Sequence, residues 1–160
     1  FPTRMNVQLL AEASSAAESL AAASVLLVEA NPLAQGILKA ALAGEVAALE
    51  IVASSDKAGA ALRTRRYDIL LVEGRVLAGS AKEAPQALRA LARAAAGAHV
   101  LVLWAGKADD MAPLQAAGAH RILLKPIDTA GLVRELKALY PREALEPGAP
   151  DSDRLASAPG

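Results

Sequence analysis

The chain has 160 residues, of which 54% are hydrophobic, and its 17 basic side chains are balanced by 17 acidic ones. This length suits one compact domain with flanking segments, and the charge balance argues against a nucleic-acid partner, which normally meets a basic excess. The absence of cysteine excludes disulfides and thiolate metal sites. The apolar runs are too short to span a membrane and the first residues lack a signal-peptide pattern, so we expect a soluble, cytoplasmic protein.

The two ends of the chain differ in composition from its middle. Residues 1–23 open with FPTRMNVQLL and continue with an Ala-, Ser- and Glu-rich stretch. We expect an N-terminal linker there that begins with the last strand of a preceding domain, and a frayed terminus is the alternative. Residues 141–160 are proline-rich and poor in apolar side chains, which predicts a C-terminal linker. The folded domain is expected between residues 24 and 140.

Within that region, five short apolar runs alternate with helical patterns. The runs are unbroken, as strands buried on both faces of a parallel sheet require; they are Val25–Val28, Leu49–Val52, Ile69–Val72, Val100–Leu103 and Arg121–Leu124. Helices are predicted from Pro32, over Ser55–Arg65, Lys82–Ala95 and Lys107–Ala117, and around Leu132–Leu139. In the first of them, Leu33, Ile37, Leu38 and Leu42 are assigned to one apolar face. The pattern predicts an α/β fold with a doubly wound five-stranded parallel sheet.

In such folds the loops at the carboxyl ends of the strands form the functional site. The first strand and its loop read VLLVEANPLAQGIL, and the third reads YDILLVEG at Tyr67–Gly74. The fourth reads VLVLWAG, and the fifth lies in AGAHRILLKPID at Ala117–Asp128. The functional site is therefore expected at four strand ends: Glu29–Asn31, Glu73–Arg75, Trp104–Gly106 and Lys125–Pro126.

These four motifs, in this order, resemble the receiver domain of response regulators, the CheY-like phosphoacceptor module of two-component signalling. In that family, two adjacent acidic residues after the first strand bind magnesium and the third strand ends in the phosphorylated aspartate. The fourth strand ends in Thr or Ser, and a Lys-Pro pair follows the fifth. The resemblance implies the flavodoxin-like (βα)5 fold with strand order 2-1-3-4-5.

Position by position, the acidic pocket departs from the family. The acidic pair becomes Glu29 and Ala30, followed by Asn31, and the phosphoacceptor becomes Glu73. The extra methylene of Glu73 moves the nucleophile, and a misplacement of roughly 1 Å can cost about a hundredfold in rate. Ala30 removes a metal ligand, and magnesium demands several oxygen ligands in near-octahedral geometry. We therefore expect no catalytic residue, no cofactor, and weak or absent Mg²⁺ binding.

The switch positions depart as well. By the same correspondence, Trp104 replaces the hydroxyl residue and Ile122 the switch aromatic, while Lys125 and Pro126 keep the family's residues. Trp104 removes a hydrogen bond to a phosphoryl group and adds bulk. It is either a core plug or an exposed contact for a partner or a planar ligand. Lys125 is the expected partner of Glu73. That pair is read either as a built-in mimic of the phosphorylated state or, the favoured interpretation, as an ion pair in an inactive site.

Other charged and titratable residues are assigned to solvated surface. The RTRR run at Arg63–Arg66 ends a predicted helix, where basic side chains favour the helix dipole, although binding of an anion or acidic partner is the alternative. His99 and His120 begin predicted strands without companions at metal-ligand spacing, and both are interpreted as surface or loop residues.

Together these observations predict a pseudo-receiver, a degenerate receiver that is not an enzyme. We expect it to be an internal domain of a bacterial hybrid sensor histidine kinase, because FPTRMNVQLL is similar to the closing strand of a kinase ATP-binding domain. Its partners would be the kinase core or a neighbouring receiver, met through the fourth helix, fifth strand and fifth helix. The alternatives are a sensor of a nucleotide second messenger such as cyclic di-GMP, and a still-active phosphoacceptor.

Overall fold

The computed structural model describes residues 20–77 and 82–140, and the five predicted strands form one sheet. The strands are β1 (Ser24–Val28), β2 (Ala48–Val52), β3 (Ile69–Glu73), β4 (His99–Trp104) and β5 (Arg121–Leu124). All neighbouring strands are parallel, in the order β2-β1-β3-β4-β5. The predicted flavodoxin-like fold is confirmed. The predictions for FPTRMNVQLL and for the linker at residues 141–160 concern segments outside the described residues.

Five α-helices connect and flank the strands. They are α1 (Pro32–Leu42), α2 (Ser55–Thr64), α3 (Ala84–Ala94), α4 (Met111–Ala116) and α5 (Thr129–Leu139). Two 3₁₀ turns, Gly74–Val76 and Ala108–Asp110, follow β3 and β4. The helix predicted over Lys107–Ala117 is therefore divided. Pro113 has no N–H for an interior helical bond, so the α-helix can start only shortly before it.

The sheet is covered on both faces. Alternate side chains of each strand point to opposite faces, so Leu70 and Val72 pack with α2, α3 and α4, whereas Ile69 and Leu71 pack with α1 and α5. Leu20, just before β1, is completely buried in the α1–α5 layer. No helix in residues 20–77 and 82–140 has the length and apolar character needed to cross a bilayer.

Two expectations about side-chain placement are wrong. Of the residues assigned to one apolar face of α1, Leu38 and Leu42 are buried but Leu33 and Ile37 are exposed. α1 is apolar on nearly all sides, so the periodicity does not select the face that packs. His99 is buried rather than at the surface, because β4 is an inner strand and the rings of His120 and Tyr140 lie against it.

Candidate functional site

The carboxyl ends of β1, β3, β4 and β5 lie at one edge of the sheet, as parallel pairing requires. The residues that follow β1 and β3 face each other across a cavity of about 300 Å³. Its walls are formed by Glu29, Ala30, Asn31, Glu73, Arg75 and Val76. The structure thus brings together the residues that were assigned to the acidic pocket and the phosphoacceptor position.

The loop after β1 uses its polar groups locally. Glu29 is 4% exposed, and its Oε2 accepts a hydrogen bond from the Asn31 backbone N–H at 3.0 Å. Asn31 is the N-cap of α1, because its Oδ1 accepts from the N–H groups of Leu33 and Ala34 at 2.8 and 3.2 Å. The Asn31 oxygen is therefore occupied by helix capping. Ala30 between them is exposed and offers the pocket no polar side-chain atom.

Glu73 ends β3 with a buried carboxylate, and each of its two oxygens accepts a hydrogen bond. The residue is 2% exposed. Its Oε2 lies 2.9 Å from Lys125 Nζ, and its Oε1 accepts from the Arg75 backbone N–H at 3.1 Å. The Arg75 Nε is a further 3.8 Å neighbour of Oε2. Two cationic side chains and a backbone donor thus surround the carboxylate that the resemblance assigns to the phosphoacceptor position.

Trp104 ends β4 and is held from three sides. It is 7% exposed, and its Nε1 donates a 3.0 Å hydrogen bond to Asp110 Oδ2. The same oxygen accepts from the Lys107 backbone N–H at 2.9 Å. A Cβ atom at Gly74 would collide with the indole ring, and one at Gly106 would lie 2.5 Å from Nε1. The indole thus fills the space beside the residue that follows Glu73, in agreement with its interpretation as a core plug.

The chain is similar to solved structures of receiver domains and response regulators. The receiver domain of sensor histidine kinase PA1611 from Pseudomonas aeruginosa PAO1, solved with magnesium in its active-site cleft, is 27% identical, with 74% of this chain and 98% of that chain covered and a TM-score of 0.59. Chemotaxis response regulator CheY4 of Vibrio cholerae matches at 21% identity over 74% of this chain and 98% of its own, with a TM-score of 0.61. The described residues have the fold of a CheY-like receiver domain.

The chain also matches one part of a larger protein. Full-length ShkA, solved with AMPPNP, is 29% identical over 74% of this chain, with a TM-score of 0.58, and the match spans 24% of ShkA. No protein-family model matches this chain, and neither does any curated protein. The likeness to receivers lies in the fold, with 27% and 29% identity to the receiver of PA1611 and to ShkA.

Ile122, Lys125 and Pro126, the other residues singled out by the resemblance, do not line the cavity. Ile122 is buried on β5, pairs with Val102 and belongs to the same core cluster as Trp104. Lys125 is fixed by its backbone, since its N–H donates to the Trp104 carbonyl at 2.8 Å. Pro126 follows it after a cis peptide bond and is exposed. The extended β4–β5 pairing is what delivers the Lys125 side chain to Glu73.

Sequence reasoning assigned no role to Arg75 and did not name Asp110. Arg75 lies two residues after Glu73, within the predicted strand end Glu73–Arg75, and its backbone N–H and guanidinium both lie near the Glu73 carboxylate. Asp110 holds Trp104 from six residues away, and its signal was an acidic residue at the third position of the turn that begins at Lys107. That position lets a side chain accept from the first N–H of the turn.

The residues assigned to solvated surface are the arginines of the RTRR run and the two histidines. Arg63, Arg65 and Arg66 are exposed, and Arg65 lies 3.8 Å from Glu50 and stacks over the Tyr67 ring. His120 is exposed but its Nδ1 accepts from the Val100 N–H at 2.9 Å. Both histidines stand at the amino ends of their strands, at the edge of the sheet opposite Glu73. They take no part in the candidate site.

Proposed function

We propose that this receiver is a pseudo-receiver, which takes part in two-component signalling through protein–protein contacts without being phosphorylated and without catalysing a reaction. The observation that carries the proposal is the engagement of Glu73. Both of its carboxylate oxygens already accept hydrogen bonds, one of them from the ammonium group of Lys125. An in-line attack on a phosphoryl donor needs a carboxylate oxygen directed at the donor. Each oxygen keeps a further lone pair, so what opposes attack is the direction in which Lys125 and the Arg75 N–H hold the carboxylate.

The donor set of the pocket does not suit magnesium. Mg²⁺ requires close to six oxygens in octahedral geometry and is usually held through carboxylates. Here Glu29 Oε2 accepts from the Asn31 N–H and Glu73 is paired with Lys125, while Ala30 contributes no side-chain oxygen. Within residues 20–77 and 82–140, no group of three metal-ligating side chains is found. We therefore propose that magnesium binds weakly or not at all, and we derive no step through it.

Trp104, which packs beside Gly74, supports the same conclusion. A hydroxyl at the end of the fourth strand would donate to a phosphoryl oxygen, whereas the indole N–H is already directed at Asp110. The ring is confined between Gly74 and Gly106, so a phosphoryl group could be admitted there only after the ring has moved. The switch that couples a hydroxyl to an aromatic residue has neither member, since the second position is Ile122.

The partner we propose is a histidine kinase core or a neighbouring receiver within the same signalling protein. The similarity to the receiver of sensor histidine kinase PA1611 supports this choice, as does the match to one part of full-length ShkA. We propose that the chain is an internal domain of a bacterial hybrid histidine kinase and that it works in the cytoplasm. The docking face expected from the resemblance is formed by α4, β5 and α5.

Phosphorylation by a small donor tests the proposal directly. The full chain is incubated with acetyl phosphate and Mg²⁺, and its intact mass is measured. CheY4 serves as a phosphorylatable control, and a variant with Ala30→Asp, Glu73→Asp and Trp104→Thr shows whether restoring the three positions restores acceptance. We expect no added phosphoryl mass on the unaltered chain. A phosphoryl adduct that disappears in Glu73→Gln would overturn the proposal.

The ligand-sensing alternative has weaker support in the site. A cyclic dinucleotide would need a planar surface for its bases, and the one tryptophan is buried and hydrogen-bonded to Asp110. Titration of the full chain with cyclic di-GMP in a calorimeter decides between the two. We expect no saturable heat, and a saturable signal that is lost in Trp104→Ala would replace regulation by contacts alone with regulation by a nucleotide.

A further inference from the structure

The C-terminal halves of α2 and α3, with the residues just after α2, carry a concentration of arginine side chains. We call them the arginine surface; its members, all of them exposed, are Arg63, Arg65, Arg66, Arg89 and Arg93. Arg65 lies 3.8 Å from Glu50 and stacks over the Tyr67 ring. The other four make no ion pair within residues 20–77 and 82–140. Most of the positive charge on this surface is therefore not neutralised by the fold.

The helix dipole accounts for only part of this charge. Arg63 and Arg93 lie in the last turns of α2 and α3, where each helix end carries about half a negative charge. Arg66 lies beyond the end of α2, and Arg89 lies in the middle of α3. Arg89 and Arg93 are four residues apart, a spacing at which like charges destabilise a helix. Even with Asp68 at the same edge, an excess of about two positive charges remains that folding does not require.

A cleft of about 310 Å³ lies between the ends of α2 and α3. Its lining combines apolar and charged residues, namely Leu62, Arg65, Arg66, Tyr67, Asp68 and residues 94–97. Tyr67 and Ala95 are buried and form its inner side, whereas the two arginines are exposed at its rim. The acid in the lining is already engaged, since Asp68 Oδ2 accepts from the Ser24 N–H at 2.8 Å. The cleft thus offers an apolar recess beside arginine side chains.

We propose that the arginine surface and its cleft bind an acidic, extended segment of a partner protein, in which an apolar side chain is flanked by Asp or Glu. This inference rests on the proposed function, since it names the chemistry of a partner for regulation through contacts. The surface lies at the amino edge of the sheet, where Tyr67 and Asp68 precede β3, and is separate from the α4–β5–α5 face. Arginine suits this role because its planar guanidinium can bind a carboxylate through two parallel hydrogen bonds.

The composition of the surface favours a protein over a nucleic acid or a membrane. Nucleic acids normally meet a basic excess, whereas the formal net charge of this chain is zero, and Tyr67, which could stack on a base, is buried. A surface that enters a lipid headgroup layer needs large apolar anchors. The large apolar residues that the described part of the chain exposes are Leu33, Ile37 and Leu124, and none of them belongs to α2 or α3.

The shape of the cleft favours an extended segment as the occupant. Ala94, Ala96 and Gly97 on its α3 side are small and exposed, so a partner backbone can approach them closely. In an extended segment, side chains two residues apart point the same way, so an apolar side chain can enter the cleft while acids before and after it meet arginines. A second copy docked through the same surface would place arginine against arginine, which like-charge repulsion opposes.

The experiment is an unbiased selection of random linear peptides, displayed on phage, against the full chain. Enriched peptides are synthesised with a fluorophore, and their Kd is measured by fluorescence anisotropy against the unaltered chain, Arg66→Glu/Arg93→Glu, and Ala94→Tyr, which fills the cleft without changing its charge. The matched control is Lys57→Glu/Lys82→Glu, which makes the same change in net charge near the opposite ends of the same two helices. All five altered residues are exposed, so the fold is kept, which circular dichroism and thermal unfolding verify.

We expect the enriched peptides to be acidic, with an apolar residue flanked by Asp or Glu. The arginine variant should weaken their binding roughly tenfold or more, Ala94→Tyr should also weaken it, and the lysine control should leave it nearly unchanged. Neutral or basic peptides, insensitivity to Ala94→Tyr, equal losses in the two double variants, or no enrichment would overturn the proposal. So would tighter binding of a duplex oligonucleotide or of phosphatidylserine vesicles that the arginine variant abolishes. None of these outcomes depends on whether Glu73 accepts a phosphoryl group.

Discussion

Lys125 Nζ lies 2.9 Å from Glu73 Oε2, and this ion pair joins the carboxyl ends of two strands that are not neighbours in the sheet. β3 and β5 are separated by β4, so the pair reaches across the end of β4, where the indole of Trp104 is held. The Glu73 side chain is 3% exposed and that of Lys125 is 31% exposed. A carboxylate that is buried and paired cannot be presented to a partner as a phosphoryl mimic, which favours the plain ion-pair interpretation.

Removal of the lysine partner is expected to destabilise the domain. Lys125→Met leaves the Glu73 carboxylate buried with only the Arg75 N–H and guanidinium near it, so the free energy of unfolding should fall by about 2 kcal/mol or more. Urea denaturation followed by circular dichroism measures the change. Lys137→Met is the matched control, because its pair with Glu45 is solvent-exposed and should contribute about 0–1 kcal/mol.

A double variant separates the ion pair from the packing of its side chains. Glu73→Gln in the Lys125→Met background removes the buried charge, and we expect most of the lost stability to return. Equal losses in Lys125→Met and Lys137→Met, or no recovery in the double variant, would mean that the Glu73–Lys125 pair contributes no more than a surface pair.

Gly74 is expected to be required by the size of Trp104. A Cβ atom at this position would collide with the indole ring, so Gly74→Ala should lower the free energy of unfolding by about 1–3 kcal/mol. In the Trp104→Ala background the ring is gone, and Gly74→Ala should then be close to neutral. The four proteins form a double-mutant cycle measured by chemical denaturation. Additive effects would assign the loss to the Leu103 carbonyl oxygen instead, which lies 3.0 Å from the same Cβ position.

The hydrogen bond from Trp104 Nε1 to Asp110 is expected to keep the indole buried. Asp110→Ala removes the acceptor of both the indole and the Lys107 N–H, so stability should fall by about 1–2 kcal/mol. The fluorescence maximum of the single tryptophan should move to longer wavelength as the ring gains contact with water. Asp109→Ala, at the exposed neighbouring position, should change neither quantity. An unchanged emission spectrum in Asp110→Ala would show that packing alone fixes the ring.

The sheet and the location of the site could be predicted from sequence because both follow from strongly patterned features. Unbroken apolar runs such as Val25–Val28 require burial on both faces, which only a covered parallel sheet provides. Once the sheet is parallel, the residues after each strand must meet at one edge. The proximity of Glu29 to Glu73, and of Lys125 to Glu73, was therefore accessible without coordinates.

The burial and hydrogen bonding of individual side chains could not be predicted, because they depend on contacts that form only in the folded chain. α1 is apolar on nearly every side, so its sequence did not determine that Leu38 would be buried and Leu33 exposed. Nor did the spacing of Trp104 and Asp110 determine that the turn between them would direct the carboxylate back to the indole. Burial of His99 depends on contacts made by residues far away in the sequence, at His120 and Tyr140.

His99 is expected to make the domain sensitive to acid. Burial, followed by the nearby His120, lowers the pKa of His99 from 6.5 to about 4, against a smaller opposing effect of Asp68. Its Nδ1 has no hydrogen-bond partner among the described residues, and the Tyr140 ring packs edge-on against it. Burial also lowers the pKa of His120, whose Nδ1 must stay unprotonated to accept from the Val100 N–H. The folded state thus holds both rings neutral.

The sign of the pH dependence follows from these lowered values. Between pH 6.5 and about 4 the unfolded chain binds a proton at His99 and the folded chain does not, so stability is complete above 6.5 and falls as the pH decreases. The full loss amounts to about 3 kcal/mol for a pKa difference of this size. Urea denaturation at several pH values measures it. His99→Leu should flatten the curve in that window, and an unchanged slope would assign the acid sensitivity to the carboxylates instead.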